Sequence, residues 1–290
     1  MVAQLLYNIP CILGEGPVWH SEKKSVFWVD IEGRAFFELE WKARIFREWR
    51  IPYRVSLVLP TNHNRLILGL QGGIAEFDLN SGKLQWLFDI DRELPGNRCN
   101  DGACDIHGRL WVGTMDLDFK TGAGSLYCVE KYSLPKKKID RVTISNGLAW
   151  SIDNKRAFYI DSPTQAIRSY HFDPDKGLLK FEKEVCVIPK AMGTPDGMCI
   201  DEEGMLWVAH WGGFGVYRWN PVNGKCIDRI EVNAPNVSSC AFAGDHLDHL
   251  VITTARQQLS IDELNQFPDS GSLFVAQLGV GGIEKNICGL

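Results

Sequence analysis

Glu15, Asn100, Asn146 and Asp196 stand 11 to 13 residues ahead of Trp28, Trp111, Tyr159 and Trp207, each of which sits in an aromatic or β-branched run. Ser56 ahead of Ile67 and Ser239 ahead of Val251 complete a set of six. Brought face to face, two carboxylates, two carboxamides and two hydroxyls form an oxygen-rich cluster, the donor set that Ca²⁺, Mg²⁺ or Mn²⁺ prefers. Zn²⁺ also accepts carboxylates, but no histidine belongs to the set. Any one of the Asn or Ser residues reads equally well as a group that satisfies backbone at a strand end. The acidic pair reads differently, because Glu15 and Asp196 side by side repel unless a proton or a cation comes between them.

The elements that would position these residues are short strands. The markers Trp28, Ile67, Trp111, Tyr159, Trp207 and Val251 are separated by 39, 44, 48, 48 and 44 residues, and six units of that length are the period of a β-propeller with about four strands per blade. Each unit carries a polar first turn, among them His20 to Lys23, Thr61 to Asn64, Asp105 to Gly108, Ile152 to Lys155 and Asp201 to Gly204. Outer turns follow at Asp78 to Gly82, Asp173 to Gly177 and Asn220 to Gly224, where Pro, Asn and Gly supply the dihedrals required. The expected fold is therefore all-β, a six-bladed propeller of four-stranded antiparallel blades occupying residues 1–290 as one domain. Val2 to Tyr7 is expected to close the ring by pairing with the last blade, whose strands lie around Ala241, Val251 and Phe274. Glycines 14, 16, 147 and 197 beside the acidic and amide residues suggest tight backbone turns there.

Composition narrows the function classes. A net charge of −5 and a pI near 5.8 argue against a nucleic-acid partner. The basic run Lys136 to Lys138 reads as a solvated loop. No apolar run has the length of a membrane span, and the first residues lack the charged start and apolar core of a secretory signal. Nine scattered cysteines without a C-x-x-C spacing fit reduced, buried thiols in a cytoplasmic protein. The oligomeric expectation is a monomer or weak dimer. Asp173, Asp175 and Glu184 imitate a calcium loop, but the glycine stands at the fifth position and no helix flanks it.

The stretches Gly14-Glu15-Gly16-Pro17-Val18-Trp19, Asn97-Arg98-Cys99-Asn100-Asp101-Gly102, Gly113-Thr114-Met115-Asp116, Ser145-Asn146-Gly147-Leu148-Ala149-Trp150 and Pro195-Asp196-Gly197-Met198 carry a likeness that covers essentially the whole chain. In them the chain resembles the family of regucalcin (senescence marker protein), gluconolactonase and luciferin-regenerating enzyme, all six-bladed propellers. The resemblance implies one divalent metal cation (Ca, Zn, Mg or Mn) held by Glu15, Asn146 and Asp196, with Asn100 reaching it through substrate or water. It also implies hydrolysis of a sugar lactone to the aldonic acid, with Arg98 and Asn100 orienting the hydroxyl-rich ring. Asp196 is the candidate general base. Arg98 reads alternatively as a surface side chain, and Asp101 either fixes Arg98 or caps a turn. His210 is a tuned catalytic histidine or a hydrogen-bonded structural one beside Trp211. The 116–124 segment is shorter than the animal regucalcin loop that supplies an acidic substrate contact, which leaves Asp116 or Asp118 to substitute. Two rival functions share the fold: phosphotriester hydrolysis on the same site, and calcium binding without catalysis.

Overall fold

A computed structural model describes residues 1–61 and 64–290, so the middle of the expected Thr61 to Asn64 turn lies outside the described residues. Six four-stranded antiparallel sheets are arranged as the blades of a propeller. In chain order the innermost strands are Gly14–His20, Val55–Pro60, Asn97–Cys104, Ser145–Trp150, Thr194–Ile200 and Asn236–Ala243, here numbered as blades 1 to 6. Blades 1 to 5 are built from four consecutive strands each. Blade 6 takes three strands from late in the chain and its fourth, outermost strand, Gln4–Tyr7, from the start, with Gln4 opposite Val275. The ring closes as the sequence predicts, and the closing strand covers an edge that would otherwise be unpaired.

The markers used to count the repeat all lie on second strands and are buried: Trp28, Ile67, Trp111, Tyr159, Trp207 and Val251. Alternate residues of each strand face the two neighbouring blades, so the apolar core lies between blades. One cluster joins Phe27, Val29 and Phe36 of blade 1 to Val58, Leu66 and Leu68 of blade 2. Another joins Ile160 and Ile167 of blade 4 to Leu206, Val208 and Trp219 of blade 5. This packing makes each blade a wedge whose narrow edge, the innermost strand, borders the channel.

The outer turns fall where the sequence places them, with glycines 82, 177 and 224 at positive φ. The apparent calcium loop is one of these hairpins, and Glu184 pairs instead with Arg168 on the adjacent strand. The basic run does not form a loop: it opens Lys136–Val142, the outermost strand of blade 3, where Lys136 pairs with Glu130 and Lys137 with Asp140. Lysines on an outer edge strand keep it soluble and unattractive to other strands. All nine cysteines are free, eight of them buried. Among the described residues no helix is long and apolar enough to cross a membrane.

Candidate metal and lactone site

Each innermost strand begins regularly, then breaks register against the second strand of its blade at one level of the channel. The breaks fall between Glu15 and Val18, Val55 and Leu57, Cys99 and Gly102, Asn146 and Leu148, Pro195 and Met198, and Val237 and Ser239. A β-bulge leaves a residue unpaired and re-aims its side chain. Here six bulges occur at the level of the six polar residues, and Glu15, Ser56, Asn100, Asn146, Asp196 and Ser239 are all buried there. The repeat count finds the positions, whereas the bulges that turn them inward leave no mark in composition.

Glycine at 147 and 197 serves close approach rather than turning. A Cβ on Gly147 would meet the Asp196 carbonyl oxygen of the next blade at 2.7 Å, and one on Gly197 would meet Ser239 Oγ at 2.1 Å. The innermost strands of blades 4, 5 and 6 are thereby drawn together at the ring, which brings Asn146 beside Asp196.

Arg98 is buried, not a surface side chain. Its Nη1 donates to Ser56 Oγ at 3.5 Å, to the Cys99 carbonyl at 3.0 Å and to Asn100 Oδ1. Asn100 Nδ2 donates to the Ser145 carbonyl at 2.7 Å, so both ends of that amide are engaged by protein. Ser56, which also donates to the Cys99 carbonyl, ties blade 2 to blade 3 and has a structural part, as the sequence suggests. Burial lowers the Arg98 guanidinium to about 10, against the support of Glu32 and Glu15, and it stays charged at neutral pH.

Asn146 donates through Nδ2 to Ser162 Oγ at 3.0 Å, which fixes its amide and leaves its Oδ1 buried without a partner. Asp196 Oδ1 is likewise buried and unpartnered. An orphaned buried acceptor costs about 1–3 kcal/mol, so two at one level of the channel are a cost that a bound group would relieve. Burial, with the charge of Asp101, raises Glu15 to about 8. Burial and the charges of Glu15 and Asp101 hold Asp196 well above the ordinary carboxyl range, against the pull of the Asn146 amide and the Gly197 N–H. Asp101, itself raised by burial, accepts from the Gly102 N–H at 2.7 Å and adds a third carboxyl to the field of the other two. Asp101 neighbours a ring position without occupying one, so the repeat spacing does not single it out.

Among the described residues no three His, Cys, Asp or Glu side chains are grouped as a metal cluster. The oxygen donors that do converge are two acids and an amide, Glu15, Asp196 and Asn146, two of them with an unpaired buried oxygen. A hard divalent cation fits that set, since it takes carboxylate and carbonyl oxygens and neutralises the repelling pair. His210 lies elsewhere: its Nδ1–H donates to the Met192 carbonyl at 2.8 Å, its ring stacks on Tyr217 at 4.1 Å, and burial lowers it to about 4, so it is neutral. Asp116 is occupied by the Asp118 N–H at 2.9 Å and Lys120 Nζ at 3.3 Å, and the Asp118 side chain is 83% exposed.

One pH effect follows. The folded value for Glu15, about 8, lies above its ordinary 4.5, so protonated Glu15 contributes stability that is complete below about pH 4.5 and lost as pH rises through about 8. In chelator-treated protein, the melting temperature of the parent should fall relative to that of Glu15→Gln across this window. A gap between the two that stays constant with pH would remove Glu15 as the source.

Residues 13–256 match the family model for the SMP-30/Gluconolactonase/LRE-like region. The chain is 35% identical over 284 residues to "Putative sugar lactone lactonase YvrE" of Bacillus subtilis (strain 168), covering 98% of this chain and 97% of that protein. It is 32% identical over 279 residues to regucalcin of Oryctolagus cuniculus, covering 94% and 93%. Among solved structures, a calcium-binding protein, regucalcin, from Agrobacterium tumefaciens superposes with a TM-score of 0.95 at 28% identity, covering 100% of this chain and 98% of that one. The chain belongs to the SMP-30/gluconolactonase/LRE-like family.

Proposed function

We propose that this member of the family opens a sugar lactone to its aldonic acid with a divalent cation held by Glu15, Asn146 and Asp196. The observation that carries the reading is the pair of buried, unpartnered oxygens, Asn146 Oδ1 and Asp196 Oδ1, beside a second acid and under a buried arginine. A cation bound there supplies Lewis acidity, drawing electron density from the lactone carbonyl and favouring the oxyanion that forms on attack.

The side chains do the rest. Arg98 spends only Nη1 on the hydrogen bonds described above, which leaves Nε and Nη2 to grip the hydroxyls of a sugar ring. Asn100, clamped between Arg98 and Ser145, holds that guanidinium toward the channel. Asp196 takes the proton released as water adds to the carbonyl carbon. The same proton passes to the ring oxygen as its bond to that carbon breaks, giving a free hydroxyl and a carboxylic acid. The neighbouring acids Glu15 and Asp101 oppose the pull of a bound cation on Asp196, which keeps its carboxylate basic enough for that part.

The test is acid release from gluconolactone, xylonolactone, arabinonolactone and galactonolactone, measured against the spontaneous rate and against an organophosphate triester. Opening of at least one lactone well above its spontaneous rate is expected. A tenfold preference for the triester over every lactone would move the assignment to phosphotriester hydrolysis, and tight cation binding with no hydrolysis at all would make this a cation-binding protein only.

A further inference from the structure

The segment after Leu273–Gln277 crosses the channel mouth opposite the polar ring. Its contacts fall at the far ends of the innermost strands or in the turns just beyond them. Gly281 O accepts from Glu202 N at 2.9 Å and Gly282 N donates to Leu247 O at 2.8 Å, on blades 5 and 6. Asn286 Nδ2 then donates to Cys104 O at 3.2 Å, Cys288 N to Pro60 O at 3.1 Å and Gly289 N to Gly108 O at 2.9 Å, on blades 3 and 2. Residues 281–289 are thus a strap laid across the ring and fastened on both sides of it.

Between strap and ring lies a cavity of about 310 Å³, lined largely by apolar residues such as Trp19, Leu59, Trp150, Met198 and Phe242. None of the six ring residues lines it. Lys285, at the middle of the strap, does line it, and its Nζ reaches the Pro17 carbonyl at 3.4 Å, two residues beyond Glu15 on the same innermost strand. An ammonium has three donors, and this long contact is the one hydrogen bond described for it, so the group is held by position more than by partners. The charge of Lys285 pulls Asp101 downward against its burial, and Asp101 in turn raises Glu15 and Asp196, so the ammonium meets the acidic cluster through Asp101.

We propose that Lys285 is a positioning residue of the cation site: a built-in positive charge, carried in from the opposite mouth by the strap, that acts through Asp101 to offset part of the acidic cluster's charge before a divalent cation arrives and weakens the cation's hold afterwards. The inference rests on the divalent-cation reading above. Its physical basis is that like charges separated by protein and a small, partly apolar cavity still repel at an effective dielectric far below that of water. Because Lys285 is itself exposed to solvent, the repulsion is moderated and the expected effect is moderate.

The test is calorimetric titration of Ca²⁺ and of Mn²⁺ into chelator-stripped full-length protein, for the parent and for Lys285→Met, Lys285→Gln and Lys285→Arg. Methionine keeps the apolar stem, and glutamine carries the test if the methionine variant does not fold. Both neutral variants are expected to bind at least about threefold more tightly than the parent, and Lys285→Arg to bind as the parent does. A purely structural strap residue would change the melting temperature without this charge-ordered pattern in affinity. Unchanged affinity in the neutral variants, or an arginine variant that behaves like them, would overturn the inference and leave the cation site standing. Absence of cation binding by the parent would remove the cation site and this inference together.

Discussion

Removal of divalent cations by a chelator is expected to bring lactone opening down to the spontaneous rate, with activity returning when the cation is added back. The size of the effect comes from two losses at once. The carbonyl loses its electrophilic activation, and Glu15, freed of a positive partner, returns toward its raised value of about 8 and holds a proton at neutral pH. Asp196→Ala should reproduce most of that loss, about 10²–10³-fold in kcat, because it removes a cation ligand and the proton acceptor together. Asp196→Asn separates the roles: it keeps a ligand oxygen but cannot accept the proton, so cation binding should survive better than turnover. Activity untouched by chelation, or a full rate from Asp196→Ala, would refute the mechanism.

The second large effect is on stability and lies away from the channel mouth that holds the ring. Asp201, fully buried after the innermost strand of blade 5, accepts from Glu203 N at 3.0 Å, Met205 N at 2.9 Å, Trp207 Nε1 at 2.9 Å and Arg218 Nε at 2.8 Å and Nη2 at 2.6 Å. Blade 3 repeats the device: Asp105 accepts from His107 N at 3.0 Å, Arg109 Nε at 2.7 Å and Trp111 Nε1 at 2.8 Å. Asp201→Ala leaves a largely buried guanidinium without its main partner and an indole N–H with none, at an expected cost of about 3–5 kcal/mol in denaturant unfolding. Asp140→Ala, which breaks an exposed pair with Lys137, should leave the unfolding midpoint almost unchanged. A loss below about 1 kcal/mol for Asp201→Ala would show that the blade does not depend on this network.

The contrast between these residues shows what the sequence discloses. Strand period and turn chemistry are local, so the six blades, the closing strand and the level of the ring are legible in the sequence. Asp105 and Asp201 were legible only as turn residues, although each stands six positions before a tryptophan in the pattern Asp-x-x-Gly-x-Leu-Trp. That repeated spacing carried the information. Arg98 was ambiguous because burial of a charged side chain depends on the neighbouring blade, here through Ser56. Lys285 was invisible: residues 278–290 have no periodicity, and their meaning comes from where the strap crosses.

The outermost strand of blade 6 also sets a timetable for synthesis. Gln4–Tyr7 is synthesised before every other strand of the propeller, yet its partner around Val275 is made about 270 residues later, a wait of roughly 15–50 s at 5–20 residues per second. During that interval blades 1 to 5 can form in succession from local hairpins, while the earliest strand stays an unpaired β segment. The nascent propeller is therefore most exposed to edge-to-edge aggregation at its first strand, and it becomes a closed ring only once the strand around Val275 has been made.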